Sequence, residues 1–348
     1  MTSPNSKLAA SVCAPASAFD LLQWQEQAQA HTALWRSESS LPKPRRIEVA
    51  DDTMPADTAF RHISEGASLL WRGDFQNARQ LLLALGRRLD KKSRRKSPAK
   101  STAASGFPHA FHLYRQSQAQ RARMLGSILI ELDVQWHCAL RRAPDWSLAC
   151  SEAWGAVSAE AQAQSVLVPL RDLLGVVGAH EWRKKGVEIP ALDGARIHAH
   201  YGVFSPVRGE YLDLVARASI PAAGLQQAWD IGVGTGVLSA LLLKRGVKSV
   251  VATDTSERAL ACAAENLQRL GHASRVELQR ADLFAQGQAG LIVCSPPWLP
   301  GKAASVLDQA IYDEDSRMLR GFLQGLAAHL LPGGEGWLIL SDLAEHPK

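Results

Sequence analysis

The spacing of apolar residues changes character near Ile189. Upstream of it the rhythm is mostly helical. A helix is predicted around Phe19–Trp35, and the pattern from Asp57 to Leu89 is helical on both sides of Trp71-Arg72-Gly73-Asp74. That tetrapeptide reads as a helix–helix junction, with Asp74 placed to cap the helix that follows. Phe75, Ala78, Leu81, Leu82 and Leu85 then recur at three- and four-residue spacing, which describes one buried face. Tyr114–Leu132 and Glu160–Val177 read as further helices. Residues 1–190 are therefore expected to form a mostly α-helical accessory region.

Downstream, short Val/Ile/Leu-rich runs alternate with helical segments. Ala228–Ile231, Ser249–Thr253, Val276–Leu278, Leu291–Cys294 and Gly336–Leu340 read as strands. Most lack polar alternation and are expected to be buried on both faces. Val237–Lys244 and Glu257–Leu270 read as helices stopped by Gly246 and Gly271. Alternation of this kind predicts a parallel, doubly wound α/β sheet over residues 191–348.

Composition adds bounds rather than detail. The 348 residues suffice for two domains, and 46% apolar with 21% charged residues is the make-up of a chain with a core. Cys13, Cys138, Cys150, Cys262 and Cys294 are odd in number and form no C-x-x-C pair, which argues against a disulfide framework or a zinc knuckle. No apolar run approaches the roughly 18 residues that span a bilayer, and no continuous apolar stretch follows Lys7. A cytoplasmic protein is expected. The net charge of +5 suits an anionic partner such as RNA or DNA without demanding one. Arg87–Lys100, R-R-L-D-K-K-S-R-R-K-S-P-A-K, runs into a Ser/Thr/Ala/Gly stretch ending at Gly106. It reads as a basic, flexible linker near 87–106, either a solvated tether or an electrostatic clamp on RNA. Arg183-Lys184-Lys185 reads as solvated surface. His198 and His200 have no nearby third ligand, so they read as loop residues and no metal site is expected.

The strongest chemical signal is D-I-G-V-G-T-G, Asp230–Gly236, directly after one predicted strand and before a helix. Gly232, Gly234 and Gly236 let the backbone turn and leave room for a ligand against the main chain. The following helix offers it free N–H groups. Val237 breaks the dinucleotide pattern G-x-G-x-x-G, which disfavours a nicotinamide oxidoreductase, and no G-K-[ST] follows. The Asp230 carboxylate can pair with the ammonium of an amino-acid-bearing cofactor. The second strand ends at Asp254, where a carboxylate can accept both ribose hydroxyls, although capping the next helix is an alternative role. The third strand leads to Asp282-Leu283, in reach of an adenine amino group.

The fourth strand ends in Ser295-Pro296-Pro297-Trp298. Two prolines stiffen this turn and remove two backbone donors. A planar amide or amino nitrogen is a poor nucleophile because its lone pair is delocalised. Two N–H hydrogen bonds, one to the Ser295 side chain and one to the Pro296 carbonyl, can localise that lone pair, while Trp298 stacks on the planar group.

Together these motifs make residues 196–341 resemble a class I S-adenosylmethionine (SAM)-dependent methyltransferase with a Rossmann-like sheet. D-I-G-V-G-T-G resembles its first motif, Asp254 its ribose acid, Asp282 its adenine acid, and S-P-P-W the [DNS]-P-P-[YFW] motif of amino-group methyltransferases. Phe204–Tyr211, F-S-P-V-R-G-E-Y, resembles the stretch that walls the cofactor pocket in HemK-like glutamine N5-methyltransferases, which makes Phe204, Arg208 and Glu210 candidate substrate residues. Thr253–Leu260 is similar to that family and to ribosomal RNA guanine N2-methyltransferases. The resemblance implies SAM as cofactor, methyl transfer to nitrogen, and a release-factor-like protein or a nucleic acid as substrate. Ser295 and Trp298 stand where HemK-like enzymes carry Asn and Tyr, and serine is similar to the S-P-P-Y of DNA cytosine-N4 methyltransferases. The family's last strand pair is not found before Lys348, so the fifth strand is expected to be an uncovered edge. A non-catalytic RNA- or ribosome-binding protein on a degenerate methyltransferase domain is the alternative reading.

Overall fold

The computed structural model describes residues 20–96, 107–155, 164–207, 209–301, 303 and 307–340. The chain divides into two compact units, residues 1–177 and 178–348.

The first unit holds strands β1 (Leu21–Glu26), β2 (Gln29–Trp35), β3 (Ile47–Ala50), β4 (Ser68–Trp71), β5 (Ile128–Leu132) and β6 (Val166–Pro169). Its helices are α1 (Ala56–Ser64), α2 (Phe75–Lys96), α3 (Phe107–Leu125) and α4 (Ser147–Trp154), while α5 (Leu170–Lys185) crosses into the second unit. The strands form one sheet in the order β1-β2-β6-β5-β4-β3. Strands β3, β4 and β5 are parallel, and β6 is antiparallel to β5. Leu69, Leu70, Trp71, Ile128, Leu129, Val166 and Leu167 fill its centre, each under 3% exposed.

This corrects the expectation of a mostly helical N-terminal region. The helix expected at Phe19–Trp35 is the β1–β2 hairpin, turned by Gln27 and Ala28 at φ 51° and 64°. Neither residue advertises a left-handed turn, so the connection had no Gly or Asn to mark it. The helical patterns at Asp57–Leu89, Tyr114–Leu132 and Glu160–Val177 each contain a buried strand of four or five residues, β4, β5 and β6. So short an apolar run has too few positions to show its own period beside a longer helix. Trp71–Asp74 is accordingly a strand–helix junction. Asp74 does cap α2, its carboxylate accepting the Gln76 N–H at 2.8 Å. The stretch expected as a linker is helical from Arg87 through Lys96, and 97–106 lies outside the described residues.

The second unit opens with an antiparallel pair, β7 (Val187–Ile189) and β8 (Ala195–Ile197), and helix α6 (Glu210–Arg217). Then follow β9 (Gln227–Ile231), α7 (Val237–Lys244), β10 (Ser249–Asp254), α8 (Glu257–Arg269), β11 (Val276–Arg280) and β12 (Ala289–Cys294). A short parallel pair, β13 (Leu299–Pro300) and β14 (Tyr312–Asp313), precedes α9 (Arg317–His329) and β15 (Leu330–Leu338). The main sheet has the order β11-β10-β9-β12-β15, parallel throughout. It is a Rossmann-like doubly wound sheet, and its order reverses between β9 and β12. Strands β9, β10 and β12 are almost wholly buried, whereas the edge strands β11 and β15 are not. The reading of strands buried on both faces therefore fails at Val276–Leu278 and at the last strand, where only one neighbour covers the chain.

Candidate active site

Ligands in an open parallel sheet bind beyond the carboxyl ends of the strands at the point where the order reverses. Register places four such ends side by side. Ile231 pairs with Thr253 on β10 and with Cys294 on β12, and Asp254 pairs with Arg280 on β11. A cleft of about 1260 Å³, its open mouth included, lies over these ends.

Its floor is the loop after β9. Gly232 and Gly234 adopt φ of 76° and 51°, and the Gly232 and Val233 N–H groups both donate to the Thr253 carbonyl at 2.9 Å. This ties the loop to the neighbouring strand. Gly234 and Gly232 line the cleft, but Gly236 does not. At φ 80°, a Cβ on Gly236 would meet Ala263 and Leu267 of α8 at 3.3 Å, so this glycine serves helix packing.

Asp254 stands at the cleft wall and does two local jobs. Its Oδ2 accepts the Gly234 N–H at 3.2 Å and its Oδ1 the Ser256 N–H at 2.9 Å. Ser256, not Asp254, is the N-cap of α8. Burial raises the Asp254 carboxyl above its ordinary value.

Asp230 departs from expectation. Its side chain is fully buried and lies behind the cleft wall rather than on it. Oδ2 accepts the Ser239 N–H at 3.0 Å and the Ser239 hydroxyl at 2.6 Å, fastening the loop to the first turn of α7. Oδ1 accepts no hydrogen bond from any described residue. Burial pushes the carboxyl up to about 6, and Asp254 adds to the rise.

Asp282 and Leu283 reach the cleft from the tip of β11. Leu283 sits at φ 72°, a costly conformation for a branched residue, and its carbonyl accepts the Thr253 hydroxyl at 2.5 Å. Asp282 is not the free acceptor anticipated. Both its oxygens are held by Arg317, at 2.9 and 3.2 Å, in a pair exposed to solvent.

Ser295, Pro296, Pro297 and Trp298 form the opposite wall, at the tip of β12. The segment beyond them is pinned where the Leu299 N–H donates to the Ile311 carbonyl at 3.0 Å. Buried Asp313 then caps α9, accepting the Met318 and Leu319 N–H groups at 3.0 and 3.1 Å. That cap sets Arg317 and Met318 at the cleft edge. No motif in the sequence marks these two residues, because Arg317 is brought in by an acid four residues earlier and two residues in left-handed conformation, Asp315 and Ser316.

On the remaining side, Phe204 and Tyr211 line the cleft. Glu210 is exposed at the start of α6 and does not line it, and Arg208 lies outside the described residues. Burial raises the Tyr211 hydroxyl to about 12, so it stays a neutral donor. His198 and His200 have structural partners. His198 is bonded to the Arg183 carbonyl at 2.7 Å, and His200 Nε2 lies 3.0 Å from Glu265. Among the described residues no three His, Cys, Asp or Glu side chains gather to hold a metal.

Residues 194–345 match the family model described as Methyltransferase small domain. This part of the chain has the fold of a class I SAM-dependent methyltransferase. Over 119 residues the chain is 35% identical to a release factor glutamine methyltransferase of Cereibacter sphaeroides, covering 30% of this chain and 43% of that one. It is 31% identical over 171 residues to ribosomal RNA small subunit methyltransferase C of Hahella chejuensis, covering 48% and 46%. With a putative protein N5-glutamine methyltransferase of Methanocaldococcus jannaschii the identity is 28% over 160 residues, covering 44% and 79%. The chain thus spans less than half the length of the first two relatives. The region matched by the family model contains the glycine loop, the acids and the S-P-P-W turn.

Proposed function

We propose that this chain is an enzyme that transfers a methyl group from SAM to an amide or amino nitrogen, borne by a protein glutamine or by a nucleobase, in the cytoplasm. One observation carries the reading. The glycine loop, Asp254, Asp282 and the S-P-P-W turn, scattered over 67 residues from Gly232 to Trp298, line a single cleft.

The cleft suits this cofactor on electrostatic grounds. Asp230 and Asp254 are both raised by burial, and Asp230 keeps one oxygen without a hydrogen bond. Two buried carboxyls in this condition favour a ligand that brings positive charge. When bound, SAM supplies a methyl group already activated by its sulfonium. The chain's own residues then position rather than titrate. Asp254 receives ribose hydroxyls with the lone pairs that Gly234 and Ser256 leave free. The Ser295 hydroxyl and the Pro296 carbonyl accept the two N–H groups of the acceptor, which turns its nitrogen lone pair toward the cleft. Trp298 stacks on the acceptor plane, and Phe204 and Leu283 keep water from the reacting face.

The relatives' names divide between protein glutamine and ribosomal RNA as acceptor, and none supports a scaffold without catalysis. Among the described residues no helix is long and apolar enough to cross a membrane. The test is calorimetric titration with SAM, followed by incubation of the full chain with methyl-labelled SAM and either cellular RNA or protein extract. Heat of binding that Asp254→Ala abolishes, and label in one fraction, are the expected results. Binding without label in either fraction overturns the enzymatic reading.

A further inference from the structure

Helix α8 carries a polar residue in the middle of its apolar face. Ala259, Cys262, Ala263, Asn266 and Leu267 form the buried side of this helix, and Asn266 is only 1% exposed. Asparagine is a mediocre helix former, and burying its amide is costly unless the polar atoms are bonded. Here they are. The His198 N–H donates to Oδ1 at 2.8 Å, and the amide nitrogen donates to the His198 carbonyl at 3.2 Å and to the Thr235 carbonyl at 3.1 Å.

Those three bonds join two segments that are distant in the sequence and meet at the cleft. Thr235 belongs to the glycine loop, and its residue lines the cleft. His198 opens the segment after β8 that delivers Gly202, Val203 and Phe204 to the cleft wall. From His198 to Phe204 the backbone belongs to no strand, so its position is set by what it is bonded to. The His200 N–H donates to Cys262 Sγ at 3.3 Å, the Cys262 thiol to the His198 carbonyl at 3.5 Å, and Arg258 to the Tyr201 carbonyl at 3.0 Å. Arg258, Cys262 and Asn266 follow at four-residue spacing, so one side of α8 receives the whole segment. From that side the Asn266 amide goes on to the glycine loop.

We propose that Asn266 is a positioning residue of the cofactor cleft, its amide fixing the spacing between the glycine loop and the Gly202–Phe204 wall. Asn266 does not itself line the cleft, so it acts through the backbone that it holds. No other side chain of its size fits these three partners. Aspartate keeps an acceptor for the His198 N–H but turns lone pairs toward two carbonyls, and an aliphatic residue leaves one N–H and two carbonyls unpaired in a dry interior. Cys262 binds the wall segment and serves as the comparison. The role in SAM binding rests on the function proposed above, whereas the coupling of loop and wall does not.

The experiment compares the full chain with N266D, C262A, C262S and, as a destabilised control, V247A. Val247 is buried between α7 and β10, at the end of the sheet away from the cleft. Hydrogen–deuterium exchange is read on peptides covering His198–Phe204 and Gly232–Gly236, and SAM dissociation constants are measured by calorimetry below each melting transition. N266D should speed exchange in both peptides together and weaken SAM binding about tenfold or more. C262A should speed exchange in the wall peptide alone, and C262S, which keeps a donor and an acceptor, should restore it. V247A should lower the melting temperature while changing SAM affinity by less than about twofold. Should N266D not fold, N266S, which removes the bridge without setting a charge between two carbonyls, carries the same test. Faster exchange in only one of the two peptides, or an affinity loss no larger than that of V247A at equal loss of melting temperature, overturns the assignment. Wild-type protein that binds no SAM rejects the methyltransferase reading, and the exchange data alone then decide the coupling.

Discussion

Burial holds the Asp230 carboxyl up near 6, and this fixes a pH dependence. Its carboxyl titrates near 6 in the fold, against about 4 in an unfolded chain. Below pH 4 the group is protonated in both states and costs nothing. Between pH 4 and 6 the unfolded chain ionises first, so stability falls as pH rises, by on the order of 3 kcal/mol in all. A cationic cofactor reverses the preference, because it favours the carboxylate. SAM affinity should therefore climb with pH up to about 6 and then level off. Calorimetry across pH 5 to 7.5 checks this, and Asp230→Asn should flatten the profile while leaving Ser239 a carbonyl oxygen to donate to. A wild-type profile already flat through pH 6 removes Asp230 from the cofactor's field. Arg317 presents the opposite case. Its pair with Asp282 is solvent-exposed and easily opened. Arg317→Met should change the SAM dissociation constant by less than about tenfold, whereas Asp254→Asn should weaken it far more. Comparable losses in the two variants would place Arg317 itself on the cofactor.

At the scale of elements, the loop between β9 and α7 separates binding from stability glycine by glycine. Nothing but its own loop lies near Gly234, and the position faces the cleft, so a methyl group there occupies ligand space. Gly236 faces α8, where a methyl meets Ala263 and Leu267. Both need left-handed backbone, worth about 1–2 kcal/mol against alanine. Gly234→Ala should cost that much stability and nearly all SAM binding. Gly236→Ala should cost more stability, and the residual folded protein should bind SAM more nearly as wild type does. Thermal melts paired with titration distinguish them, and identical profiles would contradict the division. The same loop shows why this half of the chain was legible. Strands β10 and β12 are buried on both faces and read as nearly continuous apolar runs, and β9, A-W-D-I at its end, leads straight into the glycine motif. Asp254 and Ser295 reach the cleft from the tips of β10 and β12, and Asp282 from the tip of the edge strand β11. Asp230 and Gly236 share the motif but face inward, and only packing against Ser239 and α8 reveals it. Arg317 and Met318 depend on the Asp313 cap, a tertiary contact with no local pattern. In the first unit, four- and five-residue strands inserted between helices left no period of their own to read.

For the whole molecule, the concentration of basic residues between Arg87 and Lys100 bears on stability. Proteins bury apolar surface to fold, and a segment without buried side chains contributes little to that balance. Among the described side chains the last buried position of α2 is Leu85 and the first of α3 is Met124, and residues 92–114 lie between them in the sequence. Replacing them with a short Gly/Ser connection should leave the first unit's melting temperature within a few degrees of wild type, since a change of 1 kcal/mol moves a domain of this size by about 2–4 °C. The replacement removes five basic residues and no acid, which by itself takes the net charge from +5 to 0. Calorimetric melts and SAM titration of the replaced chain are the measurements. A collapse of the first transition would show that this segment is part of the fold and not an appendage to it. Retention of both the melt and SAM binding, with retention on a polyanion column lost, would mean that the charge of this segment serves an external partner rather than the fold.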